Sequence, residues 1–404
     1  MSTSVTVRRT PLVALLAADG VSRLGNAVTI VAIPLIALDI ARTPLAAAAA
    51  GIAATVPLVI GGLVGGVVVD RLGFRRASIV ADAASGVTVL AVPVLAAMDA
   101  LPLWALLVLV LLSNLLDAPG AAARSSQLPE LAELAGTGLP RAAAAQATVS
   151  RTATMLGAAV AGLLVATVGA APAMYLNAAA FGVAILLTLL FVPRVELPEN
   201  AEDTAGGWSG LTAGIRFVWR TPLVRAVVLM VVITNAIDVA GYTVLKPLYA
   251  QGLGNDGAAL GIMIACMSGG ALVGAALYGI VGDRVPRHAL FVTLFLLAGV
   301  PPYLTLALHP PFVVVAIVLV LSGLAAGPLN PLIDSALFRL IPPGIRARAL
   351  GAITAGVTAA MPFGSLLAGL GVDAFGLTAT LLLASLSYAV AVVSLGFGRR
   401  WKGF

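Results

Sequence analysis

The sequence predicts an all-α membrane protein of twelve spanning helices, arranged as two pseudo-symmetric six-helix bundles. Three observations carry that prediction. First, 60% of the 404 residues are hydrophobic and only 10% are charged, with a mean hydropathy of +1.08. A water-soluble domain has roughly a quarter of its residues charged. This chain therefore lacks the charge to cover a surface in water and must face lipid. Second, the apolar residues fall into long segments near the length, about 20 residues, that a helix needs to cross a bilayer core. Third, the loop Asp70-Arg71-Leu72-Gly73-Phe74-Arg75-Arg76 follows a Gly-rich stretch, 61–69, and a degraded copy recurs about half the chain later as Asp283-Arg284-Val285-Pro286-Arg287-His288. A basic turn at matching points of two halves marks an internal duplication.

In the first half the spans are 12–40, 45–69, 77–98, 102–123, 143–168 and 172–192. In the second they are 222–250, 257–281, 289–308, 311–337, 347–371 and 375–397. Their length and continuity exclude a spanning barrel, whose strands are short and alternate apolar with polar residues. The polar break near 193–221, with Glu196, Glu199, Glu202 and Asp203, divides the chain. The bundles are 1–193 and 222–404, joined by a linker, 194–221, in which 211–219 reads as a short amphipathic helix on the membrane face. Small residues crowd certain spans (Gly157 with Gly162, Gly269-Gly270 with Gly274, Gly364 with Gly369), as expected where helices must approach closely in lipid.

Lys and Arg set the orientation. Arg8, Arg9, Arg71, Arg75, Arg76, Arg141, Arg194, Arg216, Arg220, Arg284, Arg287, Arg339, Arg346, Arg348, Arg399, Arg400 and Lys402 fall on one side, whereas Arg42 is the cation of the opposite loops. Both termini are expected in the cytoplasm, with the chain in the inner membrane as a monomer. The net charge of +6 expresses this asymmetry and points to no nucleic-acid partner. Cys266 lies within a span and offers no disulfide or thiolate metal site. No Gly-rich Lys-Ser/Thr phosphate loop, nucleophile elbow or metal-spaced cluster is present, so neither an enzyme nor an ATP-driven pump is expected. No cofactor is expected, and the remaining driving force is a proton gradient.

Several motifs together resemble the major facilitator superfamily over essentially the whole chain. They are Gly66-x-x-x-Asp70-Arg71-x-Gly73-x-Arg75-Arg76; Ser22-Arg23-Leu24-Gly25-Asn26 through Ala32-Ile33-Pro34; Asp117-Ala118-Pro119-Gly120 through Leu128-Pro129-Glu130-Leu131; and Pro342 through Arg346-Ala347-Arg348-Ala349-Leu350-Gly351. Within the superfamily the chain is similar to the drug and siderophore exporters, including macrolide efflux and enterobactin export proteins. Two departures stand out: Asn26 occupies a place where many drug antiporters carry an Asp, and Ala158 follows Gly157 where they carry a Pro.

Ionisable groups within spanning helices cost about 2.5–3.5 kcal/mol by insertion scales and are functional candidates by default. In helix 1, Asp19, Arg23 and Asn26 fall within about 60° of arc at 100° per residue, forming one polar stripe with Ser22 nearby. Helix 7 carries Asn235, Asp238, Tyr242 and Lys246; helix 4 carries Asn114, Asp117 and Arg124; helix 10 carries Asn330 and Asp334. The resemblance implies that helices 1, 4, 7 and 10 line a central cavity, which makes Asp19, Arg23, Asn26, Asp117, Asn235, Asp238 and Tyr242 the candidate substrate and proton residues. Asp19 and Arg23, four apart, also suit a mutual ion pair. Asp117 suits a pair with Arg23 or Arg151, and Lys246 suits snorkelling to the headgroups. Asp238 is the best candidate for a carboxylate that exchanges a proton.

The resemblance also implies a conformational latch at Gly66, Asp70, Arg71, Gly73, Arg75 and Arg76, with Asp82, seven after Arg75, as a partner, and a weaker copy at Asp283 and Arg284. Asp334 and Arg339 suit a gate. The expected function is secondary active export of a small amphipathic compound, a drug, siderophore or secondary metabolite, by proton antiport with alternating access. The same fold and carboxylates suit a proton-coupled importer. An uncoupled facilitator fits Asn26, and a non-transporting membrane sensor would need an output domain larger than the linker.

Overall fold

The computed structural model describes residues 8–193, 215–254, 256–281, 287–342 and 345–396, and within them the chain is helical almost throughout. The helices are α1 (Thr10–Ala41), α2 (Pro44–Leu72), α3 (Phe74–Ala97), α4 (Leu103–Ser126), α5 (Leu128–Leu134), α6 (Leu139–Val168) and α7 (Ala170–Phe191). They continue as α8 (Pro222–Ala240), one π-helical turn (Gly241–Leu245), α9 (Lys246–Gly252), α10 (Asp256–Val281), α11 (Arg287–Leu308), α12 (Phe312–Ala326), α13 (Leu329–Leu340) and α14 (Arg346–Gly396). Ten helical segments among the described residues are long and apolar enough to cross a membrane. The last of them breaks at Gly376, whose φ of 80° lies outside helical space, so it makes two passes. With α2, 29 residues long, twelve helical segments of spanning length lie among the described residues. Side chains such as Leu163, Leu190, Val313 and Leu367 are 66–71% exposed, which water would penalise and lipid does not.

Turn chemistry follows the predicted boundaries. Arg42, Asp99 and His309 each take a left-handed conformation (φ 52°, 52° and 49°) just after a helix ends. Each is followed within three residues by a proline that begins or precedes the next helix (Pro44, Pro102, Pro310), where the missing N–H costs nothing. Gly73, between α2 and α3, has φ 74°, a conformation that explains why the basic turn carries glycine there.

Three details differ from the sequence reading. The chain after α4 does not simply run out: Leu128–Leu134 forms a separate short helix, with Pro129 in its first turn. Leu128 and Leu131 seat it against Leu12 and Leu15 of α1. The tenth span is interrupted at Gly327 and Pro328, so α12 and α13 are distinct. Residues 215–220 are helical, but the rest of the amphipathic segment and the linker from 194 to 214 lie outside the described residues.

The chain forms two compact units, Met1–Ala41 with Ala53–Ala201, and Arg42–Ile52 with Glu202–Phe404. In the first, α1 packs on α6 and α7, and α3 on α4 and α7. In the second the pattern recurs: α8 packs on α14, and α11 on α12 and α14. Of the glycine-rich faces, that between α10 and α12 brings four glycines against facing backbone. A Cβ at Gly270 would meet the carbonyl of Val320, one at Gly274 that of Leu324, and ones at Gly323 and Gly327 those of Met267 and Ala271. Backbone cannot yield as a side-chain tip can. Gly274→Ala is therefore expected to cost about 1–3 kcal/mol through overpacking. Gly269→Ala, which meets open space, should stay within about 0.5 kcal/mol of the parent. Thermal unfolding of the two purified variants decides this, and equal melting points would refute the close-packed face.

Candidate functional site

In the first unit the polar stripe of α1 meets charges from α3 and α4. Arg124, only 2% exposed, is the hub. Its Nη1 donates to both carboxylate oxygens of Asp82 at 2.8 and 2.9 Å, and its Nη2 donates to Ser22 Oγ at 3.4 Å. Asp19 Oδ1 lies 3.6 Å from Arg124 Nε, and Asp117 Oδ1 lies 3.7 Å from Nη2. Asp19 Oδ2 also accepts from Arg23 Nε at 2.9 Å and from Ser150 Oγ at 2.7 Å. Asn26 Nδ2 donates to Asp117 Oδ2 at 2.9 Å. Three carboxylates thus share two guanidiniums in a part of the protein where an unpaired charge is costly.

The second unit has a smaller cluster on α8. Tyr303, buried on α11, places its hydroxyl 3.0 Å from the Ile237 carbonyl and 3.1 Å from Asp238 Oδ1. The hydroxyl reaches the helix backbone because position 241 is glycine: a Cβ there would collide with the Tyr303 hydroxyl and ring. In a straight α-helix, residues 238 and 246 would point about 80° apart. The π turn adds a residue between them and rotates Lys246 back by about 100°, which brings Asp238, Tyr242 and Lys246 nearer one line. Lys246 lies over the Tyr242 ring, Nζ to centroid 3.8 Å, and donates to Met267 Sδ at 3.7 Å. It is 2% exposed, so it is packed inside the unit and does not snorkel to the headgroups.

The predicted residues therefore sort into two groups, with some elsewhere. Asp19, Arg23, Asn26 and Asp117 come together, and the Asp19–Arg23 pair forms. Asp117 pairs with Asn26 and approaches Arg124. Asp238 and Tyr242 lie in the second cluster, while the Asn235 amide bonds back to the Val231 carbonyl of its own helix. Asp82, expected beside Arg75, instead binds Arg124. Arg75 donates to the Thr188 and Leu189 carbonyls at 3.4 and 2.6 Å, at the C-terminal end of α7, where the helix dipole is negative; the Thr188 carbonyl also accepts the Val192 N–H. The helical backbone covers Gly66, Asp70 and Arg71, but the side chains of Asp70 and Arg71, like that of Arg339, lie outside the described residues, as do Asp283 and Arg284 entirely. Arg76 and Asp334 are exposed. Among the described residues no group of His, Cys, Asp and Glu is placed to hold a metal. Sequence reading overlooked Arg124 as the hub, although a guanidinium inside an apolar helix that also carries Asp117 was a signal. Tyr303 and Gly241 gave none, since a tyrosine and a glycine in apolar helices are ordinary.

A duplicated all-α fold with ionisable side chains inside the spanning helices of both units defines a major facilitator transporter. Solved structures agree on the fold: a mutant of the nucleoside transporter NupG superposes with a TM-score of 0.77 at 13% identity, covering 96% of this chain and 99% of that one. A D-xylose–proton symporter gives 0.71 at 15% identity, covering 95% and 96%. The chain belongs to the transmembrane secretion effector family of that superfamily, whose profile matches residues 2–399. Among its relatives is the multidrug efflux pump Tap of Mycolicibacterium fortuitum, 33% identical over 383 residues, covering 94% of this chain and 93% of that protein. Tap of Mycobacterium tuberculosis is 34% identical over 382 residues, covering 94% and 91%.

Proposed function

We propose that this transporter exports small amphipathic compounds, drugs among them, from the cytoplasm across the inner membrane in exchange for protons, with both termini cytoplasmic and alternating access of the site to the two faces. Its similarity to the Tap efflux pumps along nearly the whole length supports export. The observation that carries proton coupling is at Asp238. The Tyr303 hydroxyl has one hydrogen and two acceptors within 3.1 Å, the Ile237 carbonyl and Asp238 Oδ1. A proton on Asp238 supplies the missing donor: Tyr303 then donates to the carbonyl and Asp238 donates to the phenolic oxygen. Loss of that proton leaves the two acceptors competing and puts charge within electrostatic reach of Lys246. Proton binding thus rearranges contacts between α8 and α11, and a ligand shifts a conformational equilibrium only through such unequal interactions with its states.

The test is accumulation of ethidium, a lipophilic aromatic cation, by inverted membrane vesicles energised with an imposed proton gradient. Asp238→Asn is expected to reduce accumulation to that of vesicles lacking the protein, while the variant reaches the membrane at parental levels. Undiminished pumping by the variant would remove Asp238 from coupling. Wild-type transport that ignores collapse of the gradient would instead identify a facilitator.

A further inference from the structure

We infer that Asp117 on α4 is the proton-carrying group of the first unit and that Asn26 holds it in position, an assignment that rests on the proton-coupled reading above. Three carboxylates face two guanidiniums there, so one bound proton brings the cluster to neutrality. The contacts decide which acid takes it. Asp82 receives two short bonds from Arg124, and Asp19 receives bonds from Arg23 and Ser150. Asp117 receives one, on Oδ2 from Asn26; among the described residues its Oδ1 is buried and accepts no hydrogen bond. Arg124 Nη2 stops 3.7 Å short of that oxygen, and Arg124 Nε, buried at the centre of the cluster, likewise makes no hydrogen bond.

Access points to the same residue. Oδ1 itself is buried, but the Asp117 side chain as a whole is 21% exposed, against 2% for Asp19 and 0% for Asp82, so of the three acids its carboxyl lies nearest to open space. The charged groups facing it are Asp19 and Arg23 of α1, Asp82 of α3 and Arg124 of its own helix. The proton adds to Oδ1 and leaves from it, with no other bond changed. Once it leaves, Asp117 competes with Asp82 and Asp19 for the single guanidinium of Arg124, which links the protonation state to the packing of α1, α3 and α4. The amide at position 26 also takes on a meaning. Asn26 and Asp117 form one acid–amide pair across two helices, so the acid sits on α4 with its amide donor on α1.

That symmetry supplies the test. The full-length protein is reconstituted in liposomes, and the carbonyl stretch of protonated carboxylic acids is followed by infrared difference spectroscopy between acidic and alkaline buffer. Asp117→Asn is expected to lose one component of that band and Asp19→Asn to keep it. In the same liposomes, Asp117→Asn should lose gradient-driven ethidium accumulation while retaining ethidium exchange without a gradient. The swapped pair Asn26→Asp/Asp117→Asn should regain both the band component and the pumping. A band unchanged by Asp117→Asn, or a variant that still pumps uphill, overturns the assignment while leaving a coupled wild type intact. A wild type indifferent to the gradient overturns the coupled reading itself. Should the single variant lose exchange as well, the swap decides: recovered pumping supports the assignment, and none overturns it.

Discussion

Arg124→Gln is expected to destabilise the protein by on the order of 3–5 kcal/mol, the penalty for removing one partner of a buried ionic network. The guanidinium contacts Asp82 directly and lies within 3.7 Å of both Asp19 and Asp117. Without it, Asp82, fully buried, loses the guanidinium that binds it, and Asp19 keeps its pair with Arg23. Arg124→Lys should recover part of the loss and no more, because one ammonium cannot present the planar fork that reaches several acceptors at once. Fluorescence-detected size-exclusion chromatography after heating measures the difference. A Gln variant within about 1 kcal/mol of the parent, the range of an exposed pair, would mean the network is dispensable for the fold.

The second large effect is expected at Gly241. Its substitution by Ala drives a methyl into the Tyr303 hydroxyl and ring, an overpacking cost of about 1–3 kcal/mol. It also pushes the hydroxyl away from Ile237 and Asp238. Tyr303→Phe removes the hydrogen bonds alone, at about 0.5–1.5 kcal/mol. The two sites share one contact, so the double variant should lose less than the sum, with a coupling energy of about 0.5–3 kcal/mol. Strict additivity would show that the glycine serves some purpose other than admitting Tyr303.

How far the sequence reached can be argued from particular residues. Asp19 and Arg23 pair as their spacing demanded, because a four-residue offset on a helix is set by the chain itself. The same local logic failed for Asp82. Seven residues from Arg75, it looked like a partner across two turns, yet it turns toward α4, where Arg124 offers both hydrogen bonds and burial. Arg75 goes instead to carbonyls at the end of α7, more than a hundred residues away. Lys246 looked like a headgroup anchor because the length of its side chain permits it. The π turn that brings it nearer to line with Asp238 leaves no mark in the hydropathic period.

Composition and hydropathic period by themselves determined that this chain is a helical membrane protein with twelve spans, since the cost of exposing polar backbone to lipid leaves few alternatives, and the recurring Asp-Arg loop pointed to a duplicated plan. Local spacing also placed its charged residues on particular helix faces. Only the tertiary structure decided which of those charges meet. Arg124 faces three acids, and Tyr303 divides one hydrogen between Asp238 and a carbonyl, because partners far apart in sequence are chosen by how helices pack.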